Sequence, residues 1–186
     1  MIVSVDYLNS QQLETIKTLV EPAFYLKAQF EGFRERPYLC PAGVPTIGFG
    51  NTYYTNGQRV TLSDPPISLE EGYQLMLNVT LKDFLPRLTR LCPDLLPYSI
   101  RTGDCYKISA ILSLVYNIGI ANLAGSTLRK CINDVTRWEE VPFQLSRWNK
   151  SKGKILRGLT LRRLAEAEYW NRFDLWNKYR QRSYAE

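Results

Sequence analysis

The stretch CYKISAILSLVYNIG, residues 105–119, constrains the fold more than any other part of this 186-residue chain. It follows Asp104, a residue suited to cap a helix, and ends at Gly119, a residue suited to stop one. Its apolar side chains lie nearly all the way round the helix, so no face is left for water. Such a helix needs a jacket of other helices, which predicts a mainly helical body with 105–118 at its centre.

Helical periodicity supplies that jacket. Leu13, Ile16, Leu19 and Val20 recur at helical spacing after Ser10, which can cap them, and Pro22 suits the first turn of a second helix that Gly32 stops after Glu31. Ser68 and Glu71 form a capping box ahead of a long pattern through Leu85, with an end or kink expected near Pro86 and a boundary at Cys92-Pro93. Shorter helices are expected around 125–133, 136–148 and 158–178. Only 33–62 differs in texture. Tyr38, Thr46, Ile47, Phe49, Thr52, Tyr53 and Tyr54 favour strands, and turns are centred on PAGV and TNGQ. The prediction is an α+β chain: a small antiparallel β lobe at 33–62, a larger helical part from 1–32 and 63–178, and a cleft between them.

Composition narrows the function classes. There is no histidine, and the four cysteines (Cys40, Cys92, Cys105, Cys131) are far apart with no CxxC pair, so neither a metal site nor a disulfide framework is expected. Cys92, Cys105 and Cys131 read as core thiols, and Trp138, Trp148, Trp170 and Trp176 as packing residues. No cofactor motif is present; the glycines at 48 and 50 mark a tight hairpin, not a phosphate loop. The N-terminus lacks a basic region, and Asp6, Glu14, Lys17 and Glu21 interrupt its apolar runs, so it does not read as a secretion signal. The net charge of +6 is concentrated: 141–186 carries eleven Lys/Arg against four Asp/Glu. That segment suits an anionic partner, although Arg157, Arg162 and Arg163 also fit a solvated face with acid partners such as Glu166. A nucleic-acid partner has no recognition motif to support it.

The chemistry concentrates in EGFRERPYLCPAGVPTIGFGNT, residues 31–52. Glu31 ends a helix, where the negative end of the dipole and partial burial both disfavour the carboxylate form and suit it to donate a proton. Eight residues separate it from Cys40, and five more separate Cys40 from Thr46. A hairpin of that length can carry both residues across a cleft from Glu31. Glycoside hydrolysis needs such an acid opposite a second group on the other face of the sugar.

This segment resembles the active-site signature of the phage lysozyme (endolysin) family, glycoside hydrolase family 24, in which Glu, eight residues, Asp, five residues and Thr are followed by a run like Ile47-Gly48-Phe49-Gly50. SLVYNIG (113–119), STLRKCIND (126–134) and SRWNKSKGKILRGLTLRR (146–163) resemble later family segments in the same order, so the likeness runs from about residue 22 to about 172. The resemblance implies a lysozyme-like fold and an inverting muramidase acting on peptidoglycan between N-acetylmuramic acid and N-acetylglucosamine for host lysis, without cofactor. Glu31 would protonate the leaving oxygen, the second-position residue and Thr46 would orient the water, and Thr52, Tyr116 and Thr127 would contact sugar. The departure is Cys40, where the family usually has Asp. A free thiol is only about 3% ionised at pH 7. Arg34 and Arg36 would raise that fraction and an ionised Glu31 would lower it. Cys40 therefore stands open as base, as nucleophile or as a neutral water-positioning group. A lytic transglycosylase and a catalytically impaired wall-binding protein are the alternatives. The expected setting is a monomer made in the host cytoplasm that reaches the wall through a separate pore, with the basic segment available to the anionic outer membrane. Lysis and a tail-associated role both remain open, and residues 173–186 extend past the resemblance.

Overall fold

A computed structural model describes residues 9–183, with side chains as far as Asp174; the readings of the first eight residues and of Trp176 lie outside it. Two N-terminal helices, α1 (Ser10–Val20) and α2 (Pro22–Glu31), open the chain. Asn9, not Ser10, caps α1, in a reciprocal box with Gln12. The Asn9 Oδ1 accepts from the Gln12 N–H while the Gln12 Oε1 accepts from the Asn9 N–H. Pro22 takes the first turn of α2, and Gly32, at φ +65°, stops it directly after Glu31.

The small sheet follows. Strand β1 (Arg34–Leu39) pairs antiparallel with β2 (Pro45–Gly48), with Tyr38 opposite Thr46 and Leu39 opposite Pro45. Between Arg34 and Tyr38 the register slips, a bulge that re-aims the start of β1. Directly after β2 come two single bridges, Ile47 to Asn51 and Tyr53 to Arg59, the second around the turn at Asn56-Gly57. Ile47, Val60, Leu75 and Val79 form a separate small core beneath it.

One continuous helical rod connects this lobe to the rest. It runs as α3 (Leu69–Val79), a π-helical turn (Thr80–Phe84) and α4 (Leu85–Leu91), with the Ser68–Glu71 capping box at its start. The end or kink expected near Pro86 takes the form of an element boundary, the π turn closing at Phe84 and α4 opening at Leu85. Proline sits in the first turn of α4, directly after the wide π turn, where its missing N–H costs least. Next come α5 (Leu95–Thr102), α6 (Cys105–Ile118), α7 (Ile120–Ala124) and α8 (Thr127–Ile132), then a 3₁₀ turn (Val135–Glu140) and α9 (Val141–Ser146) in place of one helix over 136–148. A two-residue hairpin, β3 (Lys150–Ser151) with β4 (Lys154–Ile155), leads into the long α10 (Arg157–Ser183).

Helix α6 lies at the centre as predicted, buried from Lys107 through Val115 and capped by Asp104. Around it pack α1, α2, α5 and α10, with Trp170 fully enclosed and edge-on to Trp138. Cys92 and Cys131 are core thiols, whereas Cys105, in the first turn of α6, is only half-buried. Residues 173–183 continue α10, and Asp174 within them is bound at 2.7 Å by the buried Lys107 ammonium.

Candidate active site

Glu31 owes its place to the abrupt end of α2. Gly32 turns the chain out of the helix, leaving the Glu31 side chain at the edge of the helical body with about a quarter of its surface open to water. It borders an open depression of about 580 Å³ whose wall continues through Phe33, Arg34 and Glu35 to Tyr38. From the opposite side the hairpin closes in. Gly50, at φ +90°, approaches so nearly that a Cβ there would meet the Glu31 Oε2 at 3.4 Å and the Tyr116 ring at 3.9 Å. Glycine is required at that point by both the backbone and the space. Tyr116, from α6, fixes the hairpin by donating its hydroxyl to the Phe49 carbonyl at 3.0 Å.

The other two predicted residues meet at the β1–β2 hairpin, Cys40 at the start of its turn and Thr46 in β2. Thr46 is buried, and its hydroxyl lies 2.9 Å from the Val44 carbonyl. The Cys40 thiol sits within the same turn, and its ordinary titration range is lowered chiefly by the backbone N–H groups of Val44 and Ala42, with the Thr46 hydroxyl adding to them. Converging N–H groups of this kind form a small anion nest. The Thr46 hydroxyl has one proton to give, to the carbonyl or to the sulfur, and a thiolate is the stronger acceptor. Arg34 and Arg36 take no part in this, contrary to expectation. Arg34 stacks on the Tyr38 ring at 5.1 Å, and Arg36 is paired with Glu35.

Tyr38 is a site residue that the sequence reading missed. It lies opposite Thr46 in the sheet, close enough to Glu31 and Cys40 for both to raise its phenol further, although burial is the main cause. Its place in a strand could have been read from sequence; its position between the two reactive groups needs the bulge.

Arg162 is the more consequential omission. Together with Arg163 and Glu166 it is buried, so the expected solvated face is corrected for these three and holds for Arg157 alone. One Arg162 nitrogen binds the Glu31 Oε1 at 2.5 Å, another the Glu166 Oε1 at 3.2 Å, and a third donates to the Ser113 carbonyl. Arg163 meets the second Glu166 oxygen at 2.8 Å. A carboxylate shared by two guanidiniums is how a helix buries three charges at once. The i, i+4 spacing of Arg162 and Glu166 was visible in the sequence; the 131-residue reach to Glu31 was not.

Of the three predicted sugar contacts, Tyr116 adjoins Glu31 through Gly50, and Thr52 lies in the loop past β2, half-buried, its carbonyl accepting from Val60. Thr127 is exposed in the first turn of α8. It lines a second open cavity, of about 410 Å³, with Ser126, Gln144, Arg147 and Trp148. Trp148 thus faces a cavity instead of serving purely as packing.

A small sheet and a helical body that bring a helix-end glutamate to a groove make this the lysozyme class of glycoside hydrolase. The phage lysozyme family model matches residues 28–166. An endolysin of Acyrthosiphon pisum secondary endosymbiont phage 1 is 30% identical over 151 residues, covering 78% of this chain and 92% of that protein. A SAR-endolysin of Bacteriophage PS34 is 31% identical, with 74% of each chain covered. Among solved structures, the endolysin from Escherichia coli O157:H7 phage FAHEc1 superposes with a TM-score of 0.67 at 26% identity, covering 82% of this chain and 92% of that one. The chain belongs to the phage lysozyme family. It is an endolysin-type lysozyme, a glycoside hydrolase that acts on peptidoglycan in cell lysis. No helix among the described residues is long and apolar enough to cross a membrane.

Proposed function

We propose that this lysozyme is a muramidase that hydrolyses the β-1,4 bond between N-acetylmuramic acid and N-acetylglucosamine, with Glu31 as acid and the Cys40–Thr46 turn as the water-handling side. What supports this is a helix-end carboxyl bordering a groove, a Tyr38 phenol that senses both Glu31 and Cys40, and a Cys40 thiol whose charged form is favoured by the backbone N–H groups of its own turn. Glu31 donates its proton to the leaving glycosidic oxygen while a water, oriented by Thr46, attacks the anomeric carbon. The Cys40 thiolate accepts the proton that the water loses. A favoured thiolate gives Cys40 the capacity of a base that an ordinary thiol lacks at neutral pH. Tyr116 and Thr52 flank the scissile sugar, and Thr127, in its own cavity, binds glycan further along the strand.

The Arg162 contact belongs to the resting enzyme. It holds the carboxyl in place, and arrival of a sugar oxygen offers Glu31 an alternative partner to which its proton can pass. The basic hairpin Lys150–Ile155, with exposed Lys150, Lys152 and Lys154 beside exposed Ile155 and Leu156, suits attachment to the anionic wall or outer-membrane surface. The protein acts as a monomer, is made in the host cytoplasm, and reaches the wall through a separate membrane pore.

Digestion of purified peptidoglycan followed by mass spectrometry tests this reading. Reducing-end muramic acid is the expected product; anhydro-muramic acid would instead make the protein a transglycosylase. Glu31→Gln is expected to lower the clearing of permeabilised Gram-negative cells by roughly a hundredfold or more, the usual scale for a lost general acid. A fully active Gln variant would remove Glu31 from the mechanism.

A further inference from the structure

Lys27 has no part in the chemistry above, yet it is completely buried one helical turn before Glu31 on α2. Its Nζ donates to the Thr80 Oγ1 at 2.8 Å, and the Thr80 hydroxyl in turn donates to the Met76 carbonyl at 2.7 Å. The ammonium also lies 4.9 Å from the centre of the Phe24 ring and 4.5 Å from that of Tyr116. Among the described residues no carboxylate binds it. An apolar side chain would fill this space without the cost of burying an ammonium on one hydrogen bond and two rings.

The charges around it form a closed set. Glu31 faces it from its own helix, Arg162 from α10, with Arg163 and Glu166 behind, and Tyr116 from α6. The π turn contributes Thr80 alone, since Asp83 is bound by Tyr53 and Arg87. Glu14 and Lys17 of α1, Glu21 at the junction with α2 and Glu70 of α3 line a different depression, together with Tyr25 and Tyr73. With Lys27 charged the cluster holds three cations against two carboxylates; with Lys27 neutral it balances. Protonating Glu31, as catalysis demands, removes one anion. That step leaves two excess charges if Lys27 is an ammonium and one if it is an amine.

We propose that Lys27 is a positioning residue for glycan cleavage whose charge state decides whether the buried cluster accommodates Glu31 in its proton-donating form. This rests on the reading of Glu31 as the acid. Burial, with Arg162 assisting and Glu31 opposing, brings Lys27 down to about 7, so the ammonium and the amine interchange near neutrality. Two groups this close titrate as a pair. While Lys27 keeps its charge, a protonated Glu31 leaves the buried cluster with two excess cations; once Lys27 is an amine, it leaves one.

Lys27→Met retains the length and apolar contacts of the side chain and makes the site permanently neutral. Its alkaline activity limb is expected to lie about half a unit to one unit above that of the wild type, with a variant-to-wild-type ratio of about threefold or more near pH 5–6 that falls back towards one above about pH 7, where Lys27 itself becomes an amine. A purely structural role would instead scale activity by the same factor at every pH. Denaturant unfolding gives a second, activity-free readout. Because the folded protein depresses Lys27, the unfolded chain holds the extra proton between about 7 and the ordinary lysine range. Wild-type stability relative to Lys27→Met should therefore climb through that window and be flat below it. An unshifted alkaline limb, or a stability difference that does not vary with pH, overturns the proposal. An active Glu31→Gln enzyme would remove the reading of Glu31 beneath it; an inactive Glu31→Gln with an unshifted Lys27→Met would remove only the role of Lys27.

Discussion

At the scale of single residues, Cys40 is where this chain departs from the usual phage lysozyme pattern. A thiol is a poor replacement for a carboxylate unless something stabilises its charge, and here Val44, Ala42 and Thr46 do so. Cys105 has the opposite surroundings: burial raises it. Iodoacetamide at neutral pH should therefore alkylate Cys40 well before Cys105, and mass-resolved peptide mapping would follow the two rates. Cys40→Ala should cost activity by about tenfold or more while leaving the fold intact, whereas Cys40→Asp should keep or raise it near neutral pH. A fully active alanine variant would take the thiol out of the reaction. Glu31, Cys40 and Thr46 stand out in the sequence as one candidate set by their spacing, because a short hairpin leaves few places for them to go. Lys27 was not. A lysine in an amphipathic pattern reads as solvated, and only the assembled core reveals that no water reaches it.

At the scale of elements, α10 is organised around what it buries. Arg162, Arg163 and Glu166 occupy neighbouring turns of one face, so the helix carries its own counter-ion into the interior and still has a guanidinium nitrogen for Glu31. Removing the shared carboxylate is more damaging than removing either arginine, since both cations then lose their partner. Glu166→Leu is expected to destabilise the protein by about 3–5 kcal/mol in urea unfolding. It should also lower activity, because Arg162 no longer has a fixed orientation from which to hold the acid. A change below about 1 kcal/mol would show that water or Ser113 satisfies the arginines unaided. The helices themselves were largely readable from capping boxes and apolar periodicity. What periodicity missed was the π turn at Thr80–Phe84 and the 3₁₀ turn at Val135–Glu140. Neither leaves a distinctive residue pattern, since each is a response to packing on both sides.

For the molecule as a whole, charge divides between a buried set and an exposed one. The three exposed lysines of the Lys150–Ile155 hairpin and the exposed Arg157 lie outside the buried cluster, so they are free to attract an anionic wall. Attraction of this kind is screened over about 30 Å at 0.01 M salt and about 8 Å at 0.15 M. Activity on intact wall material should consequently fall as salt is raised across that range. A Lys150→Gln, Lys152→Gln, Lys154→Gln variant should show a flatter response, with turnover of short soluble glycans unchanged. Equal salt dependence in both proteins would assign the effect to other charges. The overall charge asymmetry was evident in the sequence, but its division was not. Arg162 and Arg163 count toward the formal total while contributing little to the surface.

The wide turn in the rod between the lobes has a geometric consequence. A π turn accommodates one residue more than a regular helix, and one residue corresponds to about 100° of rotation. Leu75 and Val79, before it, pack under the sheet, while Leu85 and Leu88, after it, pack into the helical core. The turn itself directs Thr80 to Lys27, Asp83 to Tyr53 and Phe84 to Tyr116. A single uninterrupted rod can thereby satisfy two packing stripes that are out of phase with each other, working as a phase shifter with no break in the chain. Shortening 80–84 by one residue would restore an ordinary helix and swing everything beyond it by more than a quarter of a circle, leaving each half folded for a partner that is no longer there.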